Sequence, residues 1–215
     1  MHPIKALFDI LQNCMETFPD HRTGANAQYR MADFGMAAFS LFFMQSPSFL
    51  EHQRRIERGH GRTNCESLFG MTKIPKDNQT RKMLDSVSPA LLFPVFGAIR
   101  ERLRQSSGLL EAFRRLGDHV LIAFDGTECF CSDKINCKNC SMRRRSNGKT
   151  ESFHSMLAAM LVAPGCNKVI PLEPEFITPQ DGVEKQDCEN RAAKRWLASH
   201  GTQYASVKPI YLGDV

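Results

Sequence analysis

His119-Val120-Leu121-Ile122-Ala123-Phe124-Asp125-Gly126-Thr127-Glu128-Cys129-Phe130 is an apolar run of Val, Leu, Ile and Phe that delivers an acid at Asp125. A run this apolar suits a central strand buried on both faces. A second run, Pro209-Ile210-Tyr211-Leu212, leads in the same way to Asp214, one residue before the last one given. Carboxylates delivered by buried strands point to divalent-metal chemistry on phosphates.

The residues between these runs set the topology. Ser152 to Val162 is predicted as a second strand, although its Met-Leu-Ala-Ala-Met-Leu centre also reads as a helix. Pro164-Gly165 turns the chain into a third run, Lys168 to Ile177, whose Pro171 and Pro174 cannot donate ladder hydrogen bonds and so belong on an edge. Asp181 to His200 follows as a helix with Ala192, Ala193, Trp196 and Leu197 at core spacing and Gly201 as its stop. Ser206 to Leu212 returns as a strand.

Three antiparallel strands, a crossover helix and a return strand parallel to the first form the opening of an RNase H-like fold. The predicted class is therefore α+β or α/β: a helical domain over 1–118, then an incomplete RNase H-like mixed sheet over 119–215. Neighbouring strands lie about 4.8 Å apart, which brings Asp125 and Asp214 together. Their mutual repulsion raises one pKa unless a divalent cation lies between them, and hard carboxylate oxygens suit Mg²⁺ or Mn²⁺.

The N-terminal part is helical in pattern. Met31, Phe34, Ala38, Leu41 and Phe42 recur at helical steps within Ala27 to Met44, and Ser48 is placed to cap a helix carrying Phe49, His52, Arg55 and Ile56. Asn64 to Phe69, a turn through Gly70 and Pro75, and Asn78 to Val87 capped by Asp77 fit a helix-turn-helix. Its second helix would offer Asn78, Gln79, Arg81 and Lys82 to DNA; a small helical domain with a solvated polar face fits equally. Phe34 to Met44 is the longest apolar stretch, about half a membrane span, and is read as a buried helix with no membrane role.

Lys and Arg number 28 against 23 Asp and Glu, a mild excess that admits a polyanionic partner. Lys5 and Asp9 interrupt the first residues, so an export signal is not expected and a cytoplasmic location is. Eight cysteines in that setting read as reduced thiols or metal ligands. Cys129, Cys131, Cys137 and Cys140 fall within 12 residues, with a C-x-x-C step suited to structural Zn²⁺ and His154 as a substitute ligand; free thiols on a loop are the alternative. Arg143, Arg144 and Arg145 form a cationic turn able to grip phosphates, or simply a solvated charge run. Glu128 and Asp133 are read as loop acids.

The segment from Leu121 to Glu128 resembles the first catalytic block of DDE transposases encoded by bacterial insertion sequences. The likeness extends through Cys137-Lys138-Asn139-Cys140, Phe153-His154-Ser155, Leu157-Ala158-Ala159, Val169-Ile170-Pro171-Leu172 and the stretch from Asp187 to Arg195, covering most of Asp118 to Asp214. The resemblance implies Asp125 and Asp214 as catalytic metal ligands, Mg²⁺ or Mn²⁺ as cofactor, and the DNA ends of the element as partner. It implies cleavage and strand transfer at phosphodiesters, at the bacterial nucleoid, by a protein that can act as a homo-oligomer. The family's third ligand, a Glu, is expected beyond Val215, so the chain is expected to be a truncated and catalytically impaired copy. The alternative is a non-catalytic DNA-binding remnant. A haloacid-dehalogenase-like phosphatase, which also ends a strand in Asp-Gly-Thr, needs a nucleophilic Asp where this chain has Ala123.

Overall fold

The computed structural model describes residues 3–23, 27–58, 62–105, 108, 110–115, 117–179 and 188–213. It divides into two compact units, Met1–Arg102 and Leu103–Val215. The division falls earlier than the expected 118/119 boundary. The reason is packing: Leu103, Leu110 and Phe113 join the core of the second unit, and β1 (Arg114–Arg115) pairs with the start of β2 (His119–Ser132).

The first unit holds α1 (Pro3–Glu16), α2 (Met31–Phe43), α3 (Phe49–Glu57), α4 (Arg62–Ser67), α5 (Asp77–Leu84) and most of α6 (Phe93–Gln105). Its core gathers Phe8, Met15, Phe34, Met36, Phe69 and Met71. Gly35 lets α1 approach α2, since a Cβ there would stand 2.5 Å from the Met15 sulfur. Ser48 caps α3 as expected, its hydroxyl accepting from the Glu51 amide. Asp77, expected as a cap, lies inside the first turn of α5 instead and accepts a hydrogen bond from Arg81 at 2.6 Å; an acid there complements the helix dipole without capping it. Among the described residues no single helix is long and apolar enough to cross a membrane.

His52 is fully buried, with Nε2 2.8 Å from the Ser40 hydroxyl and Nδ1 3.1 Å from that of Ser46. Burial, then the charge of Arg55, pushes its pKa below the ordinary range. The unfolded chain takes up this proton near pH ~6.5, whereas the folded one resists it. The stability contribution is therefore full above that pH and is lost as pH falls toward the lowered folded value. The urea midpoint of the helical unit is expected to drop between pH 7.5 and 5.5, and His52→Gln is expected to flatten that slope.

The second unit is a mixed sheet covered by α7 (Glu189–Tyr204). β4 (Thr150–Val162) pairs antiparallel with β2 over most of its length, so the expected second strand forms as a strand. On the other edge of β4 lie β3 (Ser141–Arg144), β6 (Glu175–Ile177) and β5 (Ile170–Pro171), end to end along it. β3 was not foreseen. Pro171 and Pro174 split the third run into β5 and β6, both on that outer edge. β7 (Pro209–Gly213) returns parallel to β2, in register from Val120↔Pro209 to Phe124↔Gly213.

Gly201 does not stop α7, which runs on to Tyr204. An internal glycine costs only about 1 kcal/mol. Against that, Tyr204 stacks on Trp196 at 5.4 Å and its hydroxyl donates to the buried Glu173 carboxylate. The turn comes later, at Lys208, with φ of 50°.

Candidate functional site

The sheet carries two places of interest as candidate sites, one at Asp125 and one farther along the same hairpin. Strand alternation explains their placement. Before Cys129, the even positions Val120, Ile122 and Phe124 of β2 face α7: Phe124 meets Trp196 edge-on at 5.1 Å. Asp125 belongs to the opposite face, opposite Ala158 of β4.

The Asp125 carboxylate is exposed and, among the described residues, takes part in no hydrogen bond or ion pair. Several other acids of this unit are engaged. Asp118 meets Lys208 and Arg114, Glu128 meets Arg143, and Glu175 meets Arg195. Asp214 lies outside the described residues; the β2–β7 pairing that is described ends on Phe124↔Gly213, one residue before each acid in the chain.

Gly126 carries a carboxylate that sequence reasoning did not single out. A Cβ at Gly126 would stand only 1.9 Å from Oε1 of Glu189, so this acid of the first turn of α7 lies directly over the strand at Gly126, on the face away from Asp125. The signal available in the sequence was a glycine immediately after a strand acid, which often marks a close approach.

Beyond Gly126 the β2–β4 hairpin continues as an arm, and its register shifts: Glu128 faces Ser155 whereas Phe130 faces His154. Cys129 is the extra residue of this bulge. Its thiol donates to the His154 carbonyl at 3.4 Å. Cys131 is carried to the other face, where its sulfur accepts from Arg143 at 3.7 Å. The expected set of four cysteines is thus not assembled, because the bulge breaks the alternation that would have aligned Cys129 with Cys131.

The structure instead brings together Cys137, Cys140 and His154, whose ligand atoms lie within 4.8 Å of one another. The β3–β4 register places Ser141 opposite Phe153, and hence Cys140 beside His154. The C-x-x-C turn is closed by the Cys140 amide on the Cys137 carbonyl at 3.1 Å. Two further amides point at the sulfurs, that of Cys137 at Cys140 Sγ (3.2 Å) and that of Asn139 at Cys137 Sγ (3.4 Å).

The cationic turn is largely neutralised. Arg143, stacked over Phe153 at 4.8 Å, binds Glu128 at 2.6 Å and Glu151 at 2.8 Å, and Arg145 binds Glu151 at 2.7 Å. Arg144 alone of the three makes no ion pair among the described residues and is exposed. Hydrogen bonds from Arg145, then from Cys131 and Arg143, hold the Glu151 carboxyl at about 2. A depressed carboxylate pKa means that the network's contribution is present above the unfolded value near pH ~4.3 and is lost as pH falls through about 2. A carbon-13 titration of Glu151 is expected to find its midpoint well below those of ordinary glutamates, and Arg145→Ala is expected to raise it.

Asn78, Gln79, Arg81 and Lys82 are all exposed on α5, with Arg81 tied to Asp77. Glu173, by contrast, is an internal acid: its carbonyl receives Trp196 Nε1 at 2.6 Å and its carboxylate receives the Tyr204 hydroxyl. Comparison with protein-family models, with curated proteins and with solved structures gives no match.

Proposed function

We propose that this chain is a DDE-transposase-like protein whose second unit is the opening of an RNase H-like core and acts on DNA phosphodiesters with Mg²⁺ or Mn²⁺. The observation that carries this reading is Asp125: an exposed, unneutralised carboxylate where the buried half of a central strand ends, beside a parallel return strand. The donor chemistry fits such an ion, since a free carboxylate is a hard ligand. Asp125 would hold it together with Asp214. A divalent ion bound there supplies Lewis-acid stabilisation of the phosphate oxygens and a more acidic water. The chain's own part is to hold Asp125 rigidly on the sheet.

DNA is the partner this reading requires, which places the site of action at the nucleoid. Exposed Asn78, Gln79 and Lys82 on α5, with Arg144 on β3, supply contacts for it. Mn²⁺ titration and nicking of supercoiled DNA, with Asp125→Asn beside the wild type, test the proposal. Mn²⁺ affinity indifferent to that substitution would sink it.

A further inference from the structure

The arm of the β2–β4 hairpin carries a site of a different kind. Cys140 and Cys137 Sγ lie 3.7 Å apart, and each lies 3.3 Å from His154 Nε2. A tetrahedral Zn²⁺ with Zn–S of about 2.3 Å and Zn–N of about 2.0–2.1 Å has S···S edges of about 3.8 Å and S···N edges of about 3.6 Å. The three distances match those edges to within a few tenths of an ångström. They do so with three soft or borderline donors and no carboxylate, a set that selects zinc over Mg²⁺ or Ca²⁺.

The surroundings are those of a ligand turn. Amides of Cys137 and Asn139 point at the two sulfurs, so each sulfur is held in place as a hydrogen-bond acceptor by the turn's own backbone. Cys140 is 7% exposed, and the Phe130 ring lies 5.7 Å from that of His154. Cys129 holds the backbone of the histidine ligand through its carbonyl rather than offering a fourth sulfur.

We infer that Cys137, Cys140 and His154 bind one Zn²⁺ ion, with a solvent molecule in the fourth position, and that the ion clips the 133–140 loop onto β4. Two elements meet there: the loop supplies Cys137 and Cys140, the latter immediately before β3, and β4 supplies His154. Without the ion, the loop is fastened at this point by a turn and weak sulfur contacts. The site does not depend on Asp125 or on any reaction at DNA.

The test uses the whole chain, stripped with chelator under reducing conditions and titrated with Co²⁺ as the probe. The expected result is about one equivalent bound in a tetrahedral N/S site, with visible d–d bands and a near-ultraviolet thiolate charge-transfer band. Cys137→Ser, Cys140→Ser and His154→Ala are expected to abolish those bands, while His154→Cys restores binding with stronger charge transfer. Cys129→Ser, Cys131→Ser and Asp125→Asn are expected to keep the full spectrum. Trypsin cleavage after Lys134 or Lys138 is expected to accelerate when the metal is removed. A wild-type chain with no cobalt bands, bands that persist in His154→Ala, or bands lost in Cys129→Ser would each overturn the assignment.

Discussion

Asp125→Asn is expected to abolish Mn²⁺-dependent nicking of DNA while leaving the melting temperature within a degree or two of wild type. The substitution is nearly isosteric and its site is exposed, with no partner among the described residues to lose, so folding has little to register. The proposed metal site has much to register. A neutral amide is a far poorer ligand for Mg²⁺ or Mn²⁺ than a carboxylate, and the ion contributes several kcal/mol to stabilising transition-state charge. At about 1.4 kcal/mol per decade, a loss of at least about 10²-fold in rate follows. The check is a nicking time course at fixed Mn²⁺ with equal protein, read beside the two melting curves. A rate unchanged by the substitution would remove Asp125 from the chemistry.

Trp196→Ala is expected to produce the largest loss of stability, about 3–5 kcal/mol, as for a large aromatic removed from a packed core. Trp196 has no exposed surface. It meets Phe124 of β2, stacks on Tyr204 one helical stretch later and lies 6.3 Å from Tyr211 of β7. Its indole nitrogen donates to the Glu173 carbonyl at 2.6 Å. Truncation therefore opens a cavity and leaves a buried carbonyl without that donor. It also removes a side chain that meets β2, β7 and the end of α7 together. Chemical denaturation should show a lower midpoint for the second unit, with the helical unit unaffected; Trp196→Phe should recover part of the loss.

The main elements of the sheet were legible because their signals are long. The apolar run into Asp125, the strand from Ser152, the Trp196 helix and the return at Ile210 all form. What escaped was short or non-local. β3 is only four residues, two of them arginines, and nothing in its pattern announces a strand. Gly201 looks like a helix end until Tyr204 is seen to anchor the next turn on Trp196 and Glu173. The Cys137, Cys140 and His154 cluster was half legible: the C-x-x-C step points to it, and His154 was weighed as a substitute ligand. The exclusion of Cys129 and Cys131 depends on a bulge that no local pattern reveals. Glu189 over Gly126 is likewise a contact between distant segments.

That bulge has a consequence best put in the language of reading frames. A strand addresses its two faces by parity, and Cys129 is a single inserted letter that switches the parity partway along β2. Upstream, even positions speak to the helix; downstream, Phe130 faces the same side as His154 while Cys131 joins Glu128, Arg143 and Glu151 on the other. Deleting Cys129 would remove the bulge and leave the partners beyond it as they are, Phe130 opposite His154 and Cys131 opposite Phe153. One residue thus decides what stands across the ladder from the histidine: a ladder that ran on evenly from Glu128 would set the Cys129 sulfur there, and the bulge sets the Phe130 ring there instead.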